Sequence, residues 1–241
     1  MAQVEATATI ASLRQKMRQI EAKSAAVGEG ASQIKESVRV APMPQWLAGH
    51  LPGGGVARGQ ATQISDCPAV LVDVLAHLTA QGMCVAVVDY PRLAIAAVAA
   101  AGGDVERLVL VPDSTPHTAA VLGTLIEGMD VVLFAAGRQG AQGMQRGAVP
   151  PTFARPVEAR LRKSECALLV CGRAWPQARM HVELQVCGVL GLRRGSGRIR
   201  AVEVEGRVWG KAQPPSAVRA TIGAEEAMGA ESAAEVGEQW A

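Results

Sequence analysis

Short apolar runs of strand length alternate with segments of helical periodicity from residue 60 to residue 171. The run Met83–Asp89 is almost wholly apolar, which is typical of a strand in a sheet covered on both faces. In Pro68–Ala80 apolar residues recur three and four positions apart, which predicts a helix with one buried face. The same criteria predict further strands at Gln60–Ser65, Arg107–Val111, Asp130–Ala136 and Ala167–Cys171. They also predict helices at Leu93–Ala101 and Ala119–Glu127, and the end of another helix at Val157–Lys163.

The hydrophobic period changes after residue 171. Val182–Leu192 and Arg198–Val204 alternate polar and apolar residues around the turn sequence at 193–197, a pattern typical of a β-hairpin. Repeated strand–helix units followed by a hairpin predict an α/β fold class. We expect a mainly parallel sheet flanked by helices, with an antiparallel C-terminal hairpin.

An amphipathic helix is predicted over residues 4–27, ahead of this core. It ends at Gly28, and a proline-containing linker follows it, so residues 1–45 form a helical arm and linker and residues 46–211 form the core. The helix either packs on its own domain or docks on a neighbouring chain. Its apolar stripe, the candidate partner-binding face, consists of Ile10, Leu13, Met17 and Ile20.

Charge distribution separates the C-terminal segment from the rest of the chain. The whole chain has a net charge of +2, but residues 212–241 contain five Glu and one Arg and are therefore acidic. This segment is rich in Ala, Glu and Gly, and such a composition buries too little apolar surface to offset the entropy of ordering. We expect a disordered acidic tail. Trp240 either has no role or anchors the tail on a partner.

Several classes of protein are excluded by composition. No apolar run reaches the length of about 20 residues that a membrane span needs, and no signal peptide pattern begins the chain, so a cytoplasmic protein is expected. The four histidines share no spacing with a nucleophile, so no catalytic residue is assigned. No metal site is expected either, because metal-ligand spacing is absent from the five scattered cysteines Cys67, Cys84, Cys166, Cys171 and Cys187.

The order of the predicted elements resembles the RecA core over residues 53–211. Residues 54–59 (GGVARG) resemble the glycine-rich entry to the first strand, and residues 81–89 resemble the second strand. Residues 128–134 (GMDVVLF) resemble the Walker B strand, and the closing hairpin ends at 206–211. The resemblance implies a RecA-like sheet, which agrees with the fold class predicted from the periodicity.

The phosphate-binding loop of that fold is missing. A P-loop needs G-x-x-x-x-G-K-[ST], because backbone N–H groups wrap the phosphates and the Lys reaches the β- and γ-oxygens. Here Ser65, Asp66, Cys67 and Pro68 stand at the end of the first strand and the start of the helix, without Gly, Lys or Thr. Asp66 places negative charge where a phosphate would bind, and its carboxylate can cap the helix N-terminus.

Two further parts of the phosphoryl-transfer apparatus depart from the pattern. The Walker B strand should end in a metal-associated Asp, but Ala135 stands there. In RecA a Glu that positions the attacking water lies two residues after the equivalent of Asp89, and here that position is Pro91. We therefore expect neither enzyme activity nor a cofactor.

A RecA-like domain without its ATPase residues, with a helical arm and an acidic tail, resembles the ImuA family, in particular its actinobacterial ImuA-prime branch. The resemblance implies an accessory factor of SOS mutagenesis that binds ImuB, a polymerase-like protein. Through ImuB it implies contact with an error-prone C-family DNA polymerase and the sliding clamp during translesion synthesis. RecA, or a second copy bound through the N-terminal helix, is a further candidate partner. One alternative is a SulA-like cell-division inhibitor that binds FtsZ.

Another alternative is a RecA-like DNA-binding protein without ATPase activity. Basic residues occur in and after the glycine-rich segment 137–152 and around the hairpin turn, where they could neutralise phosphates. The glycine-rich segment contains no aromatic residue for stacking a base, so a solvated arginine-rich surface remains the other interpretation. The candidate nucleic-acid contacts at the hairpin are Arg193, Arg194, Arg198 and Arg200.

Overall fold

An eight-stranded sheet forms the centre of the fold. The structure is a computed structural model and describes residues 39–137, 147–192, 199–211 and 213–223. In these residues the strands are β1 (Val40–Pro42), β2 (Gly55–Ala57), β3 (Ala61–Ile64), β4 (Val85–Val88), β5 (Leu108–Val111), β6 (Val131–Ala136), β7 (Ala167–Gly172), β8 (Met180–Leu190), β9 (Ala201–Gly210) and β10 (Gln213–Gly223). The helices are α1 (Gln45–Ala48), α2 (Pro68–Ala80), α3 (Ile95–Ala100), α4 (Thr118–Gly128) and α5 (Pro151–Leu161).

The parallel half of the sheet follows the predicted strand–helix units. β3, β7, β6, β4 and β5 lie side by side in that order, and every neighbouring pair is parallel. α2 packs on one face of this sheet, and α4 and α5 pack on the other. All four residues of β4 are buried, as the apolar run predicted. The α/β fold class is confirmed, and α2 has the bounds predicted for it.

The antiparallel half is larger than a hairpin. β8 pairs with β3 in parallel through Met180–Val182, and then pairs with β9 along its whole length. β10 adds a third antiparallel strand at the edge. The expected disorder from residue 212 is therefore wrong for Gln213–Gly223. The prediction used the average composition of the tail and missed that Val218 and Ile222 are buried in this stretch. The N–H and C=O groups of β10 are hydrogen-bonded to β9.

The N-terminal boundary of the core also differs from the prediction. The compact unit begins at Arg39, because β1 forms in the predicted linker and pairs with β2. Gly55 permits this pairing: a Cβ there would overlap the carbonyl oxygen of Ala41. α1 follows β1, and its Trp46 Nε1 donates to Asp73 Oδ2 on α2 at 2.8 Å. The helical arm predicted over residues 4–27 lies outside the described residues.

Asp73 gives the fold a pH dependence of known sign. Burial raises the pKa of the Asp73 carboxyl, while the Trp46 hydrogen bond and the nearby His77 lower it less. The contribution of Asp73 to stability is complete below its unfolded pKa near 3.8 and is lost as pH rises through the raised folded pKa. Asp73→Asn keeps an acceptor for Trp46 without the charge. We expect it to raise the urea midpoint at pH 7 and to leave the midpoint unchanged near pH 3; a lower midpoint at pH 7 would contradict this.

The cysteines divide into buried and exposed groups. Cys67, Cys166 and Cys171 are buried, whereas Cys84 and Cys187 are exposed, and no disulfide joins the five. Burial raises the pKa of the Cys166 thiol to about 12, so this thiol stays protonated at neutral pH. In the part of the chain that the structure describes, no helix is long and apolar enough to cross a membrane.

Candidate functional site

The candidate site is the carboxyl edge of the parallel strands, where open α/β sheets bind their ligands. β3, β7, β6 and β4 are neighbours in the sheet, so the residues that follow β3, β4 and β6 lie along one edge. These are the positions of the three departures from the RecA pattern. Each of them can be described by the hydrogen bonds that it makes.

Three residues connect β3 to α2, and they are bonded within the protein. Ser65 N donates to the Val182 carbonyl at 2.9 Å, and Cys67 N donates to the Ser65 carbonyl at 2.8 Å. Pro68, the first residue of α2, has no N–H. A P-loop would direct several free N–H groups from this connection at a phosphate. Here the N–H groups of Ser65 and Cys67 are already used, and none of residues 65–68 carries a cationic side chain.

The carboxylate of Asp66 faces Tyr90 across this edge. Tyr90 Oη donates to Asp66 Oδ1 at 3.2 Å, and the tyrosine is 4 % exposed. Cys67, not Asp66, occupies the N-cap position of α2. Asp66 therefore precedes the N-cap position at which it was predicted, and the Cys67 side chain makes no capping hydrogen bond. The Asp66–Tyr90 pair joins the carboxyl ends of β3 and β4 in the region where a nucleotide phosphate would lie in a RecA-like ATPase.

Asp89, directly after β4, has a second set of partners. Its Oδ1 accepts from Ser114 N and its Oδ2 accepts from Ser114 Oγ, both at 2.8 Å. Asp89 is buried and has φ +58°, a left-handed conformation that Asp and Asn tolerate better than most residues. Its N–H donates to the Val111 carbonyl at 2.9 Å. The carboxylate therefore fixes the loop between β5 and α4, whose Thr118 hydroxyl lies 2.9 Å from Ser114 Oγ.

The end of β6 is apolar and enclosed. Ala135 and Ala136 are buried and pair with Cys171 and Gly172 of β7. An aspartate in this position of a RecA-like ATPase would reach a metal ion. Pro91, which replaces the water-positioning Glu, is exposed beyond Tyr90. At this edge the carboxylates of Asp66 and Asp89 accept hydrogen bonds from the hydroxyls of Tyr90 and Ser114.

An aromatic cluster lies next to this edge, at the end of β6. The rings of Phe134, Phe153 and Trp175 have centroids 6.2–6.4 Å apart. Trp175 Nε1 donates to Glu158 Oε1 at 2.8 Å, and both residues are buried. Trp175 N also donates to Gln63 Oε1 at 2.8 Å, which connects the cluster to β3. The pattern of the sequence did not predict this cluster, because its members come from three separate elements.

Most predicted binding residues lie outside the described residues. This holds for the apolar stripe and terminal Trp, and for three of the four hairpin arginines: Ile10, Leu13, Met17, Ile20, Trp240, Arg193, Arg194 and Arg198. Arg200 is described and exposed. The structure brings Ser65, Asp66 and Cys67 together with Tyr90, a residue that the sequence analysis passed over. The sequence feature that could have identified Tyr90 is the polar pair Asp89-Tyr90 directly after a buried strand.

Among the described residues, large apolar side chains are exposed on the parallel edge strand and on the antiparallel half of the sheet. The first of these places is the β5 edge, where Val109 and Leu110 are exposed. In the antiparallel half, toward the far end of β8 and β9, the exposed apolar residues are Val186, Val189, Leu190, Leu192 and Ile199.

A parallel sheet with this edge defines the class of protein, a RecA-like α/β domain in which the phosphate-loop positions are occupied by Ser65–Pro68. The solved structure of the RadB recombinase is similar, with a TM-score of 0.50 over 73 % of this chain and 92 % of that chain; at 14 % identity it shows the fold alone. Residues 49–177 match the MT3502 N-terminal domain, and the chain belongs to that family. A relative in Mycobacterium tuberculosis, the uncharacterized protein Rv3395c, is 30 % identical over 63 % of this chain and 72 % of its own length.

Proposed function

We propose that this protein is a non-catalytic RecA-like adaptor of an SOS-induced translesion synthesis complex, and that it binds ImuB. The observation that carries the proposal is the connection from β3 to α2, where the Ser65 and Cys67 N–H groups and the Asp66 carboxylate are engaged within the protein. A scaffold that keeps the RecA-like sheet but uses its phosphate site internally is suited to binding proteins. The resemblance to the ImuA family supplies the identity of the partner.

The electrostatics of the edge support the non-catalytic part of the proposal. Asp66 stands where a phosphate-binding loop would present backbone N–H groups and a lysine, so a bound triphosphate would meet a carboxylate instead. Asp89 already accepts one hydrogen bond from Ser114 on each carboxylate oxygen, and these bonds hold the carboxylate to the loop after β5. Phosphoryl transfer depends on positive groups and Mg²⁺ around the transferred group.

The β5 edge supports the adaptor part. Within the described residues, β5 is the last strand of the sheet and pairs with β4 alone. Its four residues, LVLV, carry no charge, and Val109 and Leu110 are exposed. Edge strands that remain solvated are usually protected by Lys, Pro or bulges. An uncharged edge of this kind is a ready surface for a strand or helix of ImuB, or of a second copy of this chain.

The test is co-purification of tagged protein with co-expressed ImuB. We expect Leu110→Asp, which places a charge on the β5 edge, to lower the recovered ImuB about tenfold, and removal of residues 224–241 to lower it as well. Ala159→Asp, on an exposed position of α5, is the matched control and should retain full recovery. Equal recovery with all variants would contradict the proposed contacts.

Two further readouts separate the alternatives. ATP turnover by the purified chain that is lost in Asp66→Asn would overturn the non-catalytic assignment. An adaptor of translesion synthesis predicts loss of damage-induced mutagenesis when Leu110→Asp replaces the native chain. A SulA-like inhibitor instead predicts cell filamentation on overproduction, with mutagenesis unchanged.

A further inference from the structure

The outer edge of β5 presents a backbone pattern that a second copy of the chain can complete. The Asp89 N–H donates to the Val111 carbonyl, and β4 and β5 run parallel. Val109 and Val111 therefore direct their backbone groups toward β4, because the N–H and C=O groups of successive strand residues point to opposite sides. The N–H and C=O groups of Leu108 and Leu110 point away from β4, where no strand pairs with them in the part of the chain that the structure describes.

This backbone pattern is self-complementary in an antiparallel arrangement. When two β5 strands run antiparallel with Val109 opposite Val109, Leu108 of each copy faces Leu110 of the other as a hydrogen-bonded pair. Each pair exchanges both N–H···O bonds, so every outward N–H group of the two strands finds a carbonyl. Pro112, which has no N–H to donate, lies just beyond this ladder. Two copies related by a two-fold axis thus satisfy each other's edge.

The charges around β5 also suit a second copy. The four residues of β5 carry no charge, so the pairing places no like charges opposite each other within the strand. Arg107 precedes β5, and Asp113 follows it after Pro112. Antiparallel pairing brings the Arg107 end of one strand beside the Asp113 end of the other, while Glu106 falls opposite Pro112. Opposite charges therefore flank the joint at both of its ends.

α3 extends the uncharged surface on one face of the sheet. Its Val98 belongs to the core cluster against which Leu108 packs, so the helix and the Leu108 side chain lie on the same face. No charged residue occurs from Leu93 to Gly103, yet Ile95 and most alanines of the helix are exposed. A two-fold axis perpendicular to the joined sheet keeps α3 of both copies on one face. The helices can therefore add to the small area that two short strands bury.

We propose that two copies of this chain pair antiparallel through β5, with Val109 opposite Val109 across a two-fold axis, so that their sheets become continuous. The second copy is then the direct contact of the β5 edge. The pairing goes beyond the proposed function and does not need ImuB. Leu110→Asp would lower the recovery of ImuB by separating the paired copies, and this consequence alone rests on the proposed function.

Disulfide cross-linking tests the register of the pairing. Val109→Cys and, as a matched control, Ala159→Cys on an exposed position of α5 are made in a chain in which the exposed Cys84 and Cys187 are replaced by serine. Residues that face each other in a non-hydrogen-bonded pair have Cα atoms about 4.5 Å apart, a distance that a disulfide can span. Under a mild oxidant we expect Val109→Cys to form the linked dimer at least about tenfold faster than Ala159→Cys. Equal rates would overturn the proposal.

Sedimentation velocity of the purified full chain, without ImuB, tests the pairing itself. We expect a species of twice the chain mass at micromolar protein concentration. Leu110→Asp sets a carboxylate against the apolar Leu108 of the other copy, so it should raise the dissociation constant at least about tenfold. Leu110→Val and Ala159→Asp should sediment as the native chain does, and circular dichroism checks that each variant is folded.

Two results of this experiment contradict the pairing. A monomer at every concentration would overturn it, and so would a dimer that Leu110→Asp leaves intact, because another surface would then hold the copies together. Since ImuB is absent, either result leaves the adaptor function to its own co-purification test. Failure to recover ImuB with a protein that dimerises through β5 would instead overturn the adaptor function alone.

Discussion

Replacing Asp89 with alanine is expected to lower the free energy of unfolding by about 4 kcal/mol. The substitution removes the acceptor of two hydrogen bonds from Ser114 and leaves the Ser114 N–H buried without its partner, a loss of about 3 kcal/mol. Alanine at φ +58° adds about 1 kcal/mol of backbone strain. Urea unfolding followed by circular dichroism measures the sum.

Two other substitutions at the same position separate these contributions. Asp89→Gly removes the carboxylate but adopts positive φ freely, so a loss of about 3 kcal/mol is expected. Asp89→Asn keeps an acceptor for the Ser114 N–H and tolerates the backbone conformation, so its cost should be about 1 kcal/mol. If Asp89→Ala and Asp89→Asn were equally stable, the carboxylate would not be the group that holds the loop between β5 and α4.

Replacing Trp175 with alanine is expected to cost about 4 kcal/mol, the range of buried aromatic truncations. Trp175 is 3 % exposed, and it contacts Phe134 and Phe153 edge to face. The substitution also leaves Glu158 buried without the indole donor. Because most domains have only about 5–15 kcal/mol of stability, this loss is a large share of the total, and the variant should unfold at a clearly lower temperature. The urea midpoint and the thermal transition measure the effect.

Two controls distinguish burial from the hydrogen bond. Trp175→Phe keeps a ring in the cluster but removes the donor to Glu158 and part of the indole, for an expected cost of about 2 kcal/mol. Trp209→Ala removes a half-buried indole that stacks on His181 and lies under Arg207 on the outer face of the sheet. Its cost should be about 1 kcal/mol. A larger loss at Trp209 than at Trp175 would mean that the cluster beside β6 is not a principal source of stability.

The hydrogen bonds of Asp89 and Asp66 show how the carboxyl edge of the sheet is organised. In a RecA-like ATPase this edge must stay open to a nucleotide and to Mg²⁺. Here Asp89 is bonded to Ser114, and Asp66 is bonded to Tyr90. Asp89 and Tyr90 are buried, so both hydrogen-bonded pairs tie loops at this edge to the core. The proposed adaptor function needs a stable scaffold with surfaces such as the β5 edge, and this organisation provides one.

The order of strands and helices was predictable because it depends on periodicity alone. Met83–Asp89 had to be a buried strand, since an apolar run of that length has no exposed face. Pro68 marked the start of α2, because proline is favoured in the first turn of a helix and disfavoured inside it. The loss of the P-loop was also visible in the sequence, because a phosphate cradle requires particular residues in consecutive positions.

β10 was not predictable from composition. Gln213–Gly223 begins with two prolines and leads into an acidic segment, yet it forms a strand because β9 supplies a hydrogen-bonding edge and α2 supplies apolar contact. A bulge between Gln213 and Ser216 accommodates the prolines. The predicted boundary at residue 212 missed this, since strand formation depends on a partner that is distant along the chain.

Sequence by itself determined the α/β class, the bounds of α2 and the absence of P-loop residues between β3 and α2, because these depend on local pattern and on residue identity. Only the tertiary structure decided what occupies that edge. Asp66 and Tyr90 are 24 positions apart, as Asp89 and Ser114 are 25 apart. Such pairs form when parallel strands bring their carboxyl ends to one edge, and the pairing of strands depends on long-range packing that local periodicity does not encode.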